Sequence, residues 1–399
     1  MAGHGLGGDW ETKAGRDYLM DEKAPLALEG KTILDLTELL PGPFATQMLI
    51  DMGARVIKIE RPVVGDAYRK MRGSSFRLIN RGKESIVLDL KSLDGQKVLK
   101  RLATKADALI EGYRPGVMNR LGVGYEEIKA VNPKVVYMSI TGFGQTGPLR
   151  DFPGHDLNYN AVAGVLGMCG RSEHPQHALG IPLADLSGSL YAVTALLAAF
   201  MVRDKSGVGQ YLDVALTDAV LAMVGPRIDY SKKDILYRAG NNVYRTRDER
   251  YIAVAALEDH FWARLVKVLD DPTLSDPIYE KAKQRWPATL ILDPIIEKKL
   301  LEKNANEWLD TFLANDIPAT AIAEGKAVFE QPQLRERGMF VEVGGIRYVN
   351  FPVRMQGVEA DRHYEAPDLG ANTNELLKEI GYTAEQIADL TANGVCAAS

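Results

Sequence analysis

The chain has 399 residues, 46% hydrophobic and 25% charged, the balance of a globular protein too long for one ordinary core, so two domains are expected. A net charge of −5 argues against a nucleic-acid surface or an anionic-membrane surface. The two cysteines, Cys169 and Cys396, lie far apart and point to a reducing, cytoplasmic setting without a disulfide framework. His174 and His177 are separated by a segment holding Pro175, which disfavours a helical metal pair, and no metal is expected. Residues 1–27 lack the apolar core of a signal peptide and read as an N-terminal arm. The longest apolar stretch, Leu190–Val202, is short for a bilayer span, so no membrane association is expected.

From Leu28 to about Ile140 the pattern alternates strand and helix. Thr32–Leu36 reads as a short strand and Pro43–Met52 as a helix with proline in its first turn. Further strands are expected at Val56–Ile59, Ile86–Leu90, Leu109–Glu111 and Val135–Ile140, with helices such as Asp94–Lys105 and Tyr125–Val131 between them. Such alternation predicts a parallel α/β sheet with right-handed crossovers. The turn after the first strand is Leu39-Leu40-Pro41-Gly42-Pro43 rather than G-x-G-x-x-G, so a dinucleotide site is poorly supported. Residues 186–230 read as two long apolar helical segments, separated by residues 204–210 and a strand, Tyr211–Ala215. After about residue 231 the composition turns charged, with a strand at Tyr251–Ala255 and amphipathic helices at about 261–269 and 294–314. A turn-rich stretch from Asn350 then leads to two short helical segments, Thr373–Ile380 and Ala384–Leu390.

One carboxylate stands out. Asp185, in Ile181-Pro182-Leu183-Ala184-Asp185-Leu186-Ser187-Gly188, immediately precedes the apolar segment and so sits at the mouth of a buried helix. Backbone N–H groups and the helix dipole there are expected to keep it ionised and to stabilise a neighbouring oxyanion. An aspartate in this place also reads as a plain N-cap. Upstream, Gly154-His155-Asp156-Leu157-Asn158-Tyr159 supplies an imidazole.

Several segments in order carry more information together than any one alone. They are Gly42-Pro43, Lys58-Ile59-Glu60-Arg61-Pro62, Asn80-Arg81-Gly82-Lys83, Arg114-Pro115-Gly116, Gly142-Phe143-Gly144 and Ser206-Gly207-Val208-Gly209-Gln210. From about Leu28 to the C-terminus the chain resembles the class III (CaiB/BaiF-type) CoA-transferase family, which also contains the α-methylacyl-CoA racemases. The resemblance implies an α/β fold: a Rossmann-like parallel-sheet large domain with an inserted smaller α+β domain, and two chains interlocked as a dimer. The implied organisation is an arm at 1–27, the first part of a large CoA-binding domain at 28–217, a linker at 218–240, a small domain at 241–340 and a return to the large domain at 341–399. Coenzyme A would lie in the large domain of one subunit and face the small domain of the other. It would be a thioester substrate rather than a tightly bound cofactor. By position, Arg61 and Arg120 would grip its phosphates, where guanidinium groups bind bidentately. Tyr113 and Thr141 would line the approach to Asp185.

The resemblance allows two chemistries. In the transferases, the aspartate matching Asp185 attacks the donor thioester, and the reaction passes through an aspartyl-CoA thioester. In the racemases, the residues matching Asp185 and His155 face opposite sides of the substrate α-carbon as a two-base pair, and Glu258 matches a glutamate that partners the histidine from the second domain. His155 stands where formyl-CoA transferase has tyrosine, which favours the racemases. Leu186-Ser187-Gly188-Ser189 replaces their Phe-and-glycine run, and Asn315-Asp316-Ile317-Pro318-Ala319 is similar to transferases. Leu40 takes the place of formyl-CoA transferase's substrate-handling glutamine, so a larger, partly apolar acid is expected rather than oxalate or formate. The preferred reading is CoA transfer from an acyl-CoA donor, succinyl-CoA on family grounds, to a carboxylic acid. Racemisation is the alternative, and a mainly structural subunit is the third. The expected partners are these substrates and either a second copy or a related subunit.

Overall fold

The computed structural model describes residues 25–169, 179–229, 238–355 and 364–397; His174, His177 and most of the expected arm lie outside them. The described residues fall into two units, one within Met1–Ala163, Leu179–Met223 and Gly338–Ser399, the other within Gly164–Ala178 and Val224–Arg337.

The first unit carries the expected alternation of strand and helix. Strands β1 (Thr32–Leu36), β2 (Arg55–Glu60), β3 (Glu84–Leu88), β4 (Ala108–Glu111), β5 (Val136–Thr141) and β6 (Tyr211–Ala215) are parallel neighbours in the order β3-β2-β1-β4-β5-β6. A short strand, Cys396–Ala397, pairs antiparallel with β3 and makes this a seven-stranded sheet. The parallel strands are nearly continuous apolar runs, as in Ile86-Val87-Leu88, because both faces of such a sheet are covered. The helices of this unit include α1 (Pro41–Asp51), α2 (Tyr68–Met71), α3 (Gly73–Asn80), α4 (Leu93–Ala103), α5 (Val117–Arg120), α6 (Tyr125–Val131), α7 (Asp156–Val162), α9 (Leu183–Ser206) and α10 (Leu216–Val224), while α8 (Val165–Met168) falls in the second unit. Leu34, Ile57, Ile86 and Leu109 from the sheet share one core with Val98 and Leu99 of α4 and with Leu376, Leu377, Ile387 and Leu390 near the C-terminus. β1 lies between β2 and β4, so the connections leaving β1 and β4 diverge and open a crevice at the carboxyl ends of the strands.

Helix α9 departs from the sequence reading. It runs for 24 residues, long and apolar enough to cross a membrane by length and composition, whereas the apolar run alone looks too short. It packs on α1, β5 and β6, and 44% of its most apolar window is buried. Its apolarity therefore serves the core of this unit, although Leu190, Tyr191, Met201 and Val202 remain exposed.

The second unit holds an antiparallel sheet in the order β7 (Asn241–Arg245), β8 (Tyr251–Ala255), β9 (Ala319–Ala321). Its helices include α11 (Asp259–Leu269), α12 (Ala282–Arg285), α13 (Thr289–Leu300) and α14 (Ala305–Ala314). Trp262, Leu265, Ile296, Trp308 and Phe312 form its core. The single helix expected at 294–314 is two, because Asn304 starts α14 with its N–H bonded to Glu307 Oε2 at 2.9 Å. In the first unit, Phe340–Val343 and Ile346–Val349 form an unanticipated hairpin. Its turn, Gly344-Gly345, has φ of 56° and 72°, the two-residue signal for a hairpin.

Candidate active site

The crevice holds an open cavity of about 1050 Å³, lined entirely by the first unit. Three strand-exit loops form much of its wall: Thr37–Gly42 after β1, Gly112–Pro115 after β4 and Thr141–Phe143 after β5. Residues of the α2–α3 segment, the stretch 150–159 and the start of α9 complete it.

A buried polar network fixes the first of these loops. Asp35 in β1 accepts from the Thr37 N–H at 2.9 Å, Thr46 Oγ1 at 2.8 Å and Lys83 Nζ at 2.8 Å. Burial alone would raise its pKa, but Lys83 and Lys58 hold the carboxyl well below the usual range. Lys58, fully buried, donates to the Thr37 carbonyl at 2.8 Å and pairs with Asp66 at 3.0 Å. Asp66 in turn accepts from the Leu39 N–H at 3.2 Å. Leu39 is thereby held at φ 66°, a conformation that costs a non-glycine residue and needs surrounding support. Burial drops Lys83 to about 8, although Asp35 opposes the shift.

Asp185 is the third residue of α9, and Pro182 holds the N-cap position. The capping acceptor comes from elsewhere. Asp156, the first residue of α7, accepts from the Ala184 N–H at 2.8 Å and the Asp185 N–H at 3.2 Å through one oxygen, Oδ1. Two sequence expectations are corrected by this contact. The plain N-cap role falls to Asp156, and those two helix N–H groups are already bonded, so they neither hold Asp185 ionised nor face an oxyanion. The Asp185 carboxyl is instead raised to about 7, by burial first and by the Asp156 charge second. Ser189 Oγ, one turn along α9, bonds the Pro41 carbonyl at 2.7 Å and ties the helix to the β1 loop.

His155 lines the same cavity as Asp185. It is exposed at the N-cap of α7, where its N–H donates to Asn158 Oδ1 at 3.0 Å. Tyr159, also in the wall, has its phenol pushed up to about 12 by burial, with Asp185 and Asp156 adding to the shift. Tyr113 and Thr141 line the cavity as well. Burial raises Tyr113 to about 12, and the Thr141 hydroxyl accepts from the Gly144 N–H at 3.1 Å. Arg61 and Arg120 are not among the lining residues. Arg61 pairs with Glu38, itself a lining residue, at 2.9 Å, and Arg120 is exposed at the end of α5. Glu258 belongs to the second unit, exposed at the N-cap of α11, and is also absent from the cavity wall.

Sequence reasoning gave no role to Asp156, to the Asp35–Lys58–Lys83–Asp66 network or to Glu111. Asp156 adjoins His155, but its contact with α9 spans 28 positions. Asp35 and Lys58 had one signal: each interrupts an apolar strand in which every other inner residue is buried. Glu111, at the end of β4, accepts from the Tyr113 N–H at 2.8 Å and from the Ser139 hydroxyl. Burial raises it to about 7 despite those donors.

Comparison with known proteins agrees with this architecture. The sequence profile of CoA-transferase family III matches residues 28–373. The chain is 33% identical over 396 residues to succinyl-CoA:glutarate CoA-transferase of Homo sapiens, covering 92% of this chain and 89% of that protein. It is 32% identical over 390 residues to α-methylacyl-CoA racemase of Homo sapiens, covering 93% and 97%. The crystal structure of a CaiB/BaiF family protein from Brucella suis superposes with a TM-score of 0.81 at 27% identity, covering 90% of this chain and all (100%) of that one.

Proposed function

This chain belongs to CoA-transferase family III, and from that premise we propose that it moves coenzyme A between an acyl-CoA and a carboxylic acid through an aspartyl-CoA thioester on Asp185. The observation that carries the reading is the release of Asp185 from capping duty. Asp156 takes the N–H groups at the start of α9, which leaves the Asp185 carboxylate free of that bond at a wall of the cavity.

The exchange balances without an added proton. The ionised Asp185 carboxylate attacks the donor carbonyl, the C–S bond breaks, and CoA leaves as thiolate. The thiolate then attacks the aspartyl carbonyl of the mixed anhydride, releasing the donor's carboxylate and leaving the thioester on Asp185. The acceptor carboxylate attacks that thioester in turn, and the expelled thiolate takes the acyl group to regenerate Asp185. Arg61 and Arg120 are assigned to the CoA phosphates outside the cavity proper, and Tyr113 and Thr141 to the path from pantetheine to Asp185. The exposed apolar residues of α9 suit an interlocked partner chain, and the cytoplasm is the assigned compartment.

The second reading, racemisation of a 2-substituted acyl-CoA, is favoured by one observation. Asp185 is raised to about 7, a value suited to gaining and losing a proton at neutral pH, and His155 shares its cavity. Mass spectrometry of the Asp185 peptide after acyl-CoA and hydroxylamine or borohydride, run beside α-deuterium wash-in, separates the two. Transfer predicts a trapped modification at Asp185. Deuterium incorporation with no such adduct would transfer the assignment to the racemase.

A further inference from the structure

Three strand exits of the first unit are tied to carboxylates in its sheet. Asp35 takes the Thr37 N–H after β1, Glu111 the Tyr113 N–H after β4, and Asp213 the Gln145 N–H after β5 at 3.0 Å. Asp35 is matched by two lysines, Lys83 at 2.8 Å and Lys58 at 3.9 Å. Glu111 is not matched. It is buried, and among the described residues its carboxylate is bonded by uncharged donors, the Tyr113 N–H at one oxygen and the Ser139 hydroxyl at the other. Asp213, across β5 and β6 from it, adds a like charge to the burial that raises Glu111. A buried carboxylate without a cation works against the fold. Such breaches of the packing rules gather at functional sites.

The geometry shows where Glu111 applies its hold. It ends β4 in register with Leu36 of β1 and Ser139 of β5, between two strands whose exit loops border the cavity. Ser139 is fixed from the far side by the Tyr211 hydroxyl, which donates to it at 3.1 Å, so the serine proton is turned to Glu111. The second oxygen of Glu111 then reaches two residues along the chain to the Tyr113 N–H at 2.8 Å. Between them stands Gly112, which has no side chain to brace the turn. The Tyr113 ring packs against the core on one side and lines the cavity on the other. Its phenol lies within electrostatic reach of the Arg61–Glu38 pair. Glu111 itself is not in the cavity wall.

We propose that Glu111 is a positioning residue for coenzyme A: its carboxylate fixes the Tyr113 backbone, and through it the ring on the path from pantetheine to Asp185. The proposal rests on the assignment of Tyr113 to that path and holds for transfer and racemisation alike. Because Glu111 acts through Tyr113, it governs binding rather than the chemistry at Asp185.

The test is calorimetric titration of free coenzyme A into wild type, Glu111→Ala, Glu111→Gln, Tyr113→Ala and the Glu111→Ala/Tyr113→Ala double variant. Adduct formation on Asp185 at saturating butyryl-CoA is timed beside it. Glu111→Ala should weaken binding about 10- to 100-fold, the range for one charge-assisted hydrogen bond. Glu111→Gln keeps an oxygen for the Tyr113 N–H and should recover part of the loss. In the Tyr113→Ala background, Glu111→Ala should cost less than about twofold more, because the ring it acts through is gone. The saturating adduct rate should change far less than the affinity. A residue that merely supports the sheet would weaken binding by the same factor with or without the Tyr113 ring. That result, or wild-type affinity in Glu111→Ala, overturns the proposal. Should Glu111→Ala fail to fold, Glu111→Gln takes its place in the cycle, and wild-type affinity there overturns it too. If coenzyme A binds but butyryl-CoA leaves no adduct on Asp185, the CoA-transfer reading falls, and the binding cycle alone still judges Glu111.

Discussion

Asp185 and Asp156 stand as a pair in which Asp156, not Asp185, caps the start of α9. Asp156 bonds two helix N–H groups, and its negative charge adds to burial in raising Asp185 to about 7. The sign follows directly. A nucleophilic Asp185 works as the carboxylate, so kcat/KM should fall as pH drops through about 7, the value at which the free enzyme takes up the proton. Asp156→Asn keeps an amide oxygen for the N–H groups and removes the charge. The acidic limb of the kcat/KM profile should then shift to lower pH while staying above the ordinary carboxylate range, because burial remains the larger cause. A limb that stays in place in steady-state kinetics would show that Asp156 does not tune Asp185.

At the scale of elements, the loop from β1 to α1 holds a non-glycine residue, Leu39, at φ 66°. Its shape depends on Asp35, Lys58, Lys83 and Asp66 beneath it, and on the absence of a side chain at Gly42. A Cβ built on Gly42 would lie 2.2 Å from Thr37 Cβ, the residue whose N–H Asp35 holds. Gly42→Ala should therefore destabilise the fold by about 1–3 kcal/mol, the usual cost of overpacking. Chemical denaturation would read this as a lower midpoint, and a wild-type midpoint would mean that the loop yields freely. The legible elements here were those with a clean local period, such as β1, read at Thr32–Leu36 and found there. The break at Leu301–Asn304 was missed because the apolar spacing of α13 continues into α14, and only the cap at Asn304 interrupts it.

For the whole molecule, the uncovered apolar residues are the feature to explain. Phe152, Leu157, Val162 and Ile181 are exposed in the first unit along with Leu190, Tyr191, Met201 and Val202 of α9. Phe152 and Ile181 line the cavity, and the exposed side chains of α9 are those that a partner chain would cover. If two copies interlock, the shared surface should exceed ~2,000 Å² in total, the range of obligate interfaces. Sedimentation at nanomolar concentration should then find no folded monomer, and a stable monomer there would defeat the interlocked arrangement.

The sequence by itself determined the α/β alternation, the family, and the place of Asp185 at the start of an apolar helix. Each of these is written in neighbouring residues, as a period of two or 3.6 or as a short ordered motif. Only the tertiary structure decided the raised pKa of Asp185, its relief from capping by Asp156 and the network under Leu39. Those properties depend on desolvation and on charges brought close from distant positions: Lys83 meets Asp35 across 48 residues and Asp156 meets the α9 backbone across 28. A carboxylate's pKa follows from how deeply it is buried and which charges and donors face it. No local pattern carries them until the chain has folded.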